Sequence, residues 1–221
     1  MSAFAIVSEG VTDYAVLKNI LIGWFKDQHA EPVLNQVQPD PTSTGESGWG
    51  NWENVLRFLE EKKHRDALDY NDWLVIQIDT DDSYHPNYGV PQLEGGRPLE
   101  PHEMVERVAA RLRGIIGEAD MAFYQNRIVF AICVRGIECW LLPLWDESKA
   151  GKCEGCLATV DRALGRADEP VLNTTPKCPR RFDNASREYR KRKILVDKGP
   201  RNPSLGMFLA EFESRDFGRP R

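Results

Sequence analysis

Long apolar runs are absent from this sequence of 221 residues. Mean hydropathy is −0.49, and no stretch reaches the roughly 18 consecutive apolar residues that a membrane-spanning helix needs. Residues 1–8 are apolar but short, and they lack the basic lead and the cleavage site of a signal peptide. The sequence therefore predicts no membrane contact and a cytoplasmic location.

Cysteine is scarce and odd in number. Five cysteines in a chain predicted to be cytoplasmic favour free thiols or metal ligands over disulfides. Cys153-x-x-Cys156 and Cys178 supply three thiols for a zinc site, and Cys139 is a candidate for a fourth. Structural zinc sites need four ligands with typical paired spacing, and a second close pair is missing. The sequence therefore argues against structural Zn²⁺.

A strong net charge is also absent, because the chain carries only −5, which argues against a generic coat for nucleic acid. The charge is unevenly distributed, however. Residues 177–201 hold ten basic and three acidic side chains, or +7, so the remainder carries −12. This asymmetry is typical of a contact with a polyanion, although a solvated helix face gives the same pattern. On the first interpretation, the residues expected to bind nucleic acid are Arg187, Arg190, Lys191, Arg192 and Lys193.

Apolar runs of strand length alternate with segments of helical periodicity. Strands are predicted at residues 3–8, 32–37, 73–78 and 127–134. Thr12 and Asp13 offer N-cap chemistry to a first helix, whose apolar residues recur at helical spacing as far as Trp24. Further helices are predicted at residues 52–64, 101–116, 136–145, 154–164, 186–196 and 204–213, and loops at 39–50 and 83–101.

This alternation predicts an α/β fold with a mostly parallel sheet flanked by helices on both faces. We expect the α/β core in residues 1–145. Residues 146–221 are expected to form a basic, less regular, helical extension that packs on this core.

Acidic residues follow three of the predicted strands. Glu9 comes after the first strand, Asp79 and Asp81 after the third, and Glu138 a few residues after the fourth. The carboxyl ends of parallel strands meet at one edge, so these carboxylates are expected to share a cleft. In an extended chain Asp79 and Asp81 would lie on the same face. Clustered carboxylates repel one another unless a cation lies between them, and Mg²⁺ or Mn²⁺ prefers such oxygen ligands. Taken singly, each motif is equally typical of turn chemistry or helix capping.

The order of these motifs resembles the TOPRIM fold shared by topoisomerases, DnaG-type primases and OLD-family nucleases. The matching segments are Glu9-Gly10 after a strand and Asp79-Thr80-Asp81 after another. The continuation Ile137-Glu138-Cys139-Trp140-Leu141-Leu142 is similar to small stand-alone TOPRIM proteins of bacterial defence islands, which include OLD-nuclease-related and RloB-like proteins. The resemblance covers roughly residues 3–145.

The resemblance implies a metal-dependent nuclease that acts on nucleic acid in defence against phage or mobile elements, with DNA favoured over RNA as the substrate. Its metal ligands would be Glu9, Asp79, Asp81 and Glu138, with Glu9 also serving as a general acid or base. A basic residue must balance charge in the transition state, and Lys191 and Lys193 are the candidates, with Lys193 preferred. OLD-family nucleases are usually fused to an ATPase, but this sequence has no Gly-x-x-x-x-Gly-Lys-Ser/Thr motif. A separate ATPase partner is therefore expected if ATP is needed.

Two other functions stay open at this stage. A non-catalytic TOPRIM-like module that binds a partner ATPase or nucleic acid would keep the same acidic residues. A glycosyltransferase would use Asp79-x-Asp81 to hold Mn²⁺ and a nucleotide sugar, but it gives Glu9 no role.

Overall fold

The computed structural model describes residues 2–26, 31–40 and 51–217. Six strands are described: β1 (Ala3–Val7), β2 (Val33–Gln38), β3 (Trp73–Asp79), β4 (Leu93–Glu94), β5 (Arg97–Pro98) and β6 (Ile128–Cys133). The α-helices of these ranges are α1 (Val11–Phe25), α2 (Trp52–Glu60), α3 (Lys63–Tyr70), α4 (Pro101–Ile116), α5 (Glu118–Tyr124), α6 (Leu142–Trp145), α7 (Cys156–Arg166), α8 (Pro179–Ser186), α9 (Arg192–Lys198) and α10 (Pro203–Glu213). Short 3-10 helices lie at Ile137–Leu141, Glu147–Lys149, Arg187–Arg190 and Gly199–Arg201.

The main sheet has four parallel strands in the order β2-β1-β3-β6. The predicted α/β fold with helices flanking a parallel sheet is confirmed. The chain moves outward from β1 to β2 and then crosses to the other side of β1 to form β3. This reversal places a topological switch point between β1 and β3, where α/β proteins commonly bind ligands at the carboxyl edge.

Alternate strand residues face two separate cores, as the two-residue period of a strand requires. Phe4, Ile6 and Val75 face the core formed with α1 and the C-terminal helices. Ala5 and Ile76 face the core formed with α2, α3 and α4. The C-terminal helices therefore cover one face of the sheet: α8, α9 and α10 bury apolar side chains in the same core as β1.

The predicted helix at 52–64 is two helices in the structure. Lys62 adopts a left-handed conformation, with φ of 59°, between α2 and α3. Its ammonium donates to the carbonyls of Ile115 and Ile116 at 2.9 and 2.8 Å, at the carboxyl end of α4. A cation at the C-terminus of a helix binds carbonyl groups that have no partner within the helix, and it interacts favourably with the helix dipole. The residue that separates α2 from α3 therefore also caps α4.

Further differences from the predicted elements lie at the helix ends and in the C-terminal region. Gly10 is the N-cap of α1, and neither Thr12 nor Asp13 caps the helix. The predicted helix at 186–196 is instead the end of α8, a 3-10 turn and α9. This turn lies so close to α1 that a Cβ on Gly23 would be 1.8 Å from the carbonyl oxygen of Tyr189. The predicted loop at 83–101 contains the β4–β5 hairpin, and residues 41–50 of the loop predicted at 39–50 lie outside the described residues.

Cys139 and Cys156 form a disulfide that joins the 3-10 helix after β6 to the start of α7. This corrects the expectation that the thiols are free or metal-bound, because the chain folds two distant cysteines together. Cys133, Cys153 and Cys178 are free. The disulfide also takes two of the four thiols that a zinc site at these cysteines would need.

Within the described ranges, no helix combines the length and the apolar character that crossing a membrane demands.

Candidate functional site

Four acidic side chains and one amide converge at the switch point between β1 and β3. Glu9 follows β1, Asp79 ends β3, and Glu138 lies in the 3-10 helix after β6. Asp13 enters from the first turn of α1, and Gln77 projects from β3 toward the same helix. The predicted meeting of Glu9, Asp79 and Glu138 at the carboxyl edge therefore follows directly from the parallel order of the strands.

Gln77 is the centre of the hydrogen-bond network at this site. Its Oε1 accepts from the backbone N–H of Glu9 at 2.9 Å, which fixes the end of β1 to β3. Its Nε2 donates to Asp79 Oδ1 at 2.8 Å and to Asp13 Oδ1 at 3.2 Å. One fully buried amide therefore holds two carboxylates beside each other. The backbone N–H of Asp79 donates to Glu9 Oε2 at 3.0 Å, so the Glu9 carboxylate lies on the last residue of β3.

Asp13 is a member of the cluster that the sequence interpretation missed. Its side chain is buried, and its Oδ2 accepts a hydrogen bond from the Thr12 hydroxyl at 3.1 Å. The sequence signal was present, because Asp13 follows Glu9 by four residues at the start of a helix that leaves the carboxyl edge. Capping chemistry explains an aspartate at this position equally well, and on that basis the sequence predicts an N-cap.

Glu138 is buried and forms an ion pair with Lys177, with Oε1 and Nζ 2.8 Å apart. Its other oxygen lies near Asp79 over a glycine: a Cβ on Gly136 would be 2.8 Å from Glu138 Oε2 and 3.3 Å from Asp79 Oδ2. Glycine at this position therefore leaves room for both carboxylates where they lie in the structure. Lys177 precedes α8 and was not among the residues selected from the sequence as catalytic.

Asp81 does not share a face with Asp79, in contrast to the expectation from an extended chain. The strand ends at Asp79, and the backbone turns so that the N–H groups of Thr80 and Asp81 both donate to the carbonyl of Arg135. Asp81 is exposed, and its Oδ1 accepts from the N–H of Asp82 at 3.0 Å. From the exposed rim of the site, the charge of Asp81 contributes to the raised pKa values of Glu9 and Asp79.

The pKa values of Glu9, Asp13 and Asp79 are raised, first by burial and then by the charge of neighbouring carboxyls. Burial, and then the charge of Asp13, raise the pKa of Glu9 from 4.5 to about 8. Burial, and then Glu138, raise the pKa of Asp13 from 3.8 to about 7. The pKa of Asp79 rises well above its usual range through burial and the charges of Asp13 and Glu9. Glu9 therefore keeps its proton near neutral pH unless a cation replaces it.

The donor set is chemically suited to a hard divalent cation, although it does not form a finished coordination shell. Carboxylate oxygens are the ligands that Mg²⁺ and Mn²⁺ prefer. Across the described ranges, no three His, Cys, Asp or Glu side chains are grouped as a preformed metal site. Asp79 Oδ2 accepts a long hydrogen bond, at 3.3 Å, from the N–H of Ile137. Burial works against the charged form of Lys177, but Glu138, Asp13 and Asp79 raise its pKa, as expected for a cation facing excess negative charge.

The basic segment selected from the sequence packs beside α1, away from the carboxylates. Arg190 donates to Asn19 and pairs with Asp183, and the guanidinium of Arg192 lies 5.2 Å from the ring centre of Trp24. Trp24 is about 16 Å from Asp13 along the axis of α1, at 1.5 Å per residue.

The remaining side chains of this segment have local partners or face outward. Lys191 pairs with Glu188 at 2.7 Å, Arg187 donates to Asn184 at 2.7 Å, and Lys193 is exposed on α9. Lys193 is therefore not placed with the carboxylates as a catalytic residue. The lysine that the fold brings to them is Lys177, because the segment before α8 passes the carboxyl edge.

Comparison of the chain with protein-family models, with curated proteins and with solved structures finds no match.

Proposed function

We propose that this protein is a Mg²⁺- or Mn²⁺-dependent nuclease that hydrolyses phosphodiester bonds. The observation that carries the proposal is the convergence of four carboxyls at the switch point: Asp13 and Glu138 are buried, Glu9 and Asp79 are half-buried, and Lys177 pairs with Glu138. A structural role alone does not account for this arrangement, because buried carboxylates of like charge destabilise a fold. Perturbed carboxyl groups in a cleft are a recognised mark of functional sites.

Glu9, Asp79 and Glu138 are the residues that would hold the cation, with Asp13 and Asp81 close enough to contribute charge. A divalent cation supplies polarisation of the phosphoryl oxygen and a water that loses its proton near neutral pH. Gln77 and the N–H of Ile137 orient the Asp79 carboxylate. Glu9 would serve either as a ligand of the cation or as the general base that accepts a proton from the attacking water.

Charge on the protein also suits a nucleic acid better than a small phosphate ester. Lys177 is half exposed beside the carboxylates, where it can balance charge on a phosphoryl group. The exposed side chains Arg187, Lys191 and Lys193 lie in the segment of the 3-10 turn and α9, which packs against α1, and we expect them to contact phosphates away from the reacting one. DNA is the first substrate to test and RNA the second, and a separate ATPase remains a proposed partner.

The decisive experiment incubates the protein with plasmid DNA, with single-stranded DNA and with RNA in Mg²⁺, Mn²⁺ or EDTA. Glu9→Gln and Asp79→Asn remove one charge each from the site and keep its shape. Asp69→Asn is the matched control, since Asp69 is exposed on α3, near the amino end of β3 and therefore at the opposite edge of the sheet. We expect metal-dependent cleavage by wild type and by Asp69→Asn, with at least a 100-fold loss in the site variants.

Absence of cleavage in every metal, with and without ATP and a candidate ATPase, would refute the nuclease proposal. Mn²⁺ binding, followed by calorimetry, without cleavage would instead favour the non-catalytic module. Equal cleavage by wild type, Glu9→Gln and Asp79→Asn would leave the activity in place and remove its assignment to this site.

A further inference from the structure

The loop between β3 and α4 forms a small apolar hollow at the surface. It has a volume of about 420 Å³ and is lined by Tyr84, Gly89, Val90, Pro91, Gln92 and Leu93. Two large side chains on its wall are unusually open: Tyr84 is 65 % exposed and Leu93 is 56 % exposed. Single exposed apolar residues are common, but an aromatic and an aliphatic side chain across a shared hollow point to a ligand.

This hollow is attached directly to the acidic site. Gln92 Nε2 donates to the carbonyls of Thr80 and Asp81 at 2.9 and 2.6 Å. The hydroxyl of Tyr88, whose ring is buried beneath the loop, donates to the carbonyl of Asp79 at 3.0 Å. The residues that line the hollow and the residues that end β3 are therefore parts of one hydrogen-bonded unit.

The wall of the hollow is held in place by α4. The β4–β5 hairpin, which carries Leu93, makes two ion pairs with this helix: Glu94 with Arg107 at 2.7 Å, and Arg97 with Glu103 at 2.8 Å. Arg111 of α4 donates to the carbonyl of Tyr88 at 3.0 Å. A binding surface fixed in this way loses little conformational entropy when a ligand enters.

The chemistry of the lining is selective. No formally charged side chain lines the hollow, and the Gln92 amide is occupied on both sides, because its oxygen accepts from Arg135. What the hollow offers is a tyrosine ring and aliphatic groups, which suit a flat, aromatic, uncharged group. A nucleobase has this character, and stacking on an aromatic side chain needs no sequence-specific hydrogen bond.

We propose that the Tyr84–Leu93 hollow binds an unpaired nucleobase adjacent to the phosphate at the acidic site, so that the substrate is single-stranded nucleic acid. This inference rests on the proposed function, since it places the reacting phosphate at Glu9 and Asp79. A base inside a duplex is stacked on its neighbours and presents no free face to Tyr84, so a duplex gains nothing from the hollow.

The test measures fluorescence anisotropy of a labelled single-stranded oligodeoxynucleotide, the same strand with one abasic position, and the matching duplex. Binding is measured in Ca²⁺ and in EDTA, and the intact length of the probe is checked on a gel. The variants are Tyr84→Ala, Tyr84→Phe and Leu93→Ala. Tyr70→Ala is the control, because Tyr70 is 87 % exposed on α3 and remote from the loop.

We expect Tyr84→Ala to raise the Kd for the single strand by about 5- to 150-fold, as stacking of one base implies. Tyr84→Phe keeps the ring and should bind within about twofold of wild type. Duplex binding should not change, and the loss should shrink when the abasic position lies at the hollow. Equal single-strand binding by Tyr84→Ala and Tyr70→Ala, or equal weakening for both strand types, would overturn the inference.

Two further outcomes separate this inference from the proposed function. If Asp79→Asn abolishes cleavage while Tyr84→Ala cuts single strands at the wild-type rate, the nuclease stands and the hollow is not a base site. If no cleavage is found but Tyr84 still governs single-strand binding, the base site stands alone. A self-association that Tyr84→Ala abolishes, with single-strand binding intact, would assign the hollow to a contact between copies of this chain and overturn the inference.

Discussion

The raised carboxyl pKa values predict an unusual dependence of stability on pH. Between about pH 5 and pH 8, unfolded Glu9 is deprotonated, whereas folded Glu9 keeps its proton until about pH 8. The folded state therefore binds more protons than the unfolded state over this interval, and the free energy of unfolding falls as the pH rises. Asp13 acts in the same direction up to about pH 7.

The size of the effect follows from the pKa of Glu9. Each pH unit within the interval removes about 1.4 kcal/mol for one retained proton, so Glu9 alone accounts for a loss of about 4 kcal/mol between pH 5 and pH 8. The charge of Asp13 contributes to the raised pKa of Glu9, so the contributions of these two residues to stability overlap and are not added. A loss of this size is a large fraction of the stability of an ordinary domain.

Urea denaturation at pH 5, 6, 7 and 8 in EDTA measures this dependence, with Glu9→Gln as the reference. The reference is needed because buried His64 has a lowered pKa, mainly through burial. His64 therefore binds fewer protons when folded and makes stability rise with pH through its unfolded value near 6.5. Subtracting the Glu9→Gln curve removes this opposing contribution and leaves that of Glu9.

A difference curve that is flat between pH 5 and pH 8, or that rises, would refute the account of Glu9. Denaturation in Mg²⁺ gives an independent test. A cation that replaces the protons should raise the free energy of unfolding at pH 8 by about 3 kcal/mol when present at 100 times its Kd. If stability falls with pH as expected but Mg²⁺ restores nothing, the carboxyl cluster is correctly described and the metal proposal is not.

Three further predictions concern packing, charge and the disulfide. Gly23→Ala should lower the free energy of unfolding by about 3 kcal/mol, because the new Cβ would lie 1.8 Å from the carbonyl oxygen of Tyr189. Gly165→Ala should instead stabilise α7 by about 0.5–1 kcal/mol, because a Cβ there has no heavy atom within 4 Å. Thermal unfolding of both variants tests these two expectations. Lys177→Gln should lower kcat about 100-fold, and Lys177→Arg should recover part of this loss. Lys193→Gln should have a smaller effect on kcat. Equal losses in Lys177→Gln and Lys193→Gln would contradict the placement of Lys177. Reduction of the Cys139–Cys156 disulfide should lower the free energy of unfolding in urea by about 2–4 kcal/mol, whereas Cys178→Ser should leave it unchanged. Thiol titration of the unreduced, unfolded chain should find three thiols rather than five.

Local patterns were enough to predict the four strands of the main sheet and the edge at which acidic residues meet. The apolar runs that became β1, β3 and β6 are distinctive because each is buried on both faces. Helix boundaries were predicted less well, and α2 and α3 were merged, because the break at Lys62 depends on its contact with the end of α4.

The residues of the candidate site likewise divide into those that local sequence patterns predicted and those that only the fold brought together. Glu9, Asp79 and Glu138 were found from the sequence, because each follows a recognisable strand and the carboxyl ends of parallel strands must share an edge. The sequence alone also determined the fold class and the uneven distribution of charge. Only the tertiary structure decided that Asp13 and Lys177 join this cluster, that Asp81 turns to its rim, and that Lys193 lies elsewhere. These placements depend on strand order and on how α1 and α8 pack, and such contacts join residues too distant in the chain for spacing to predict.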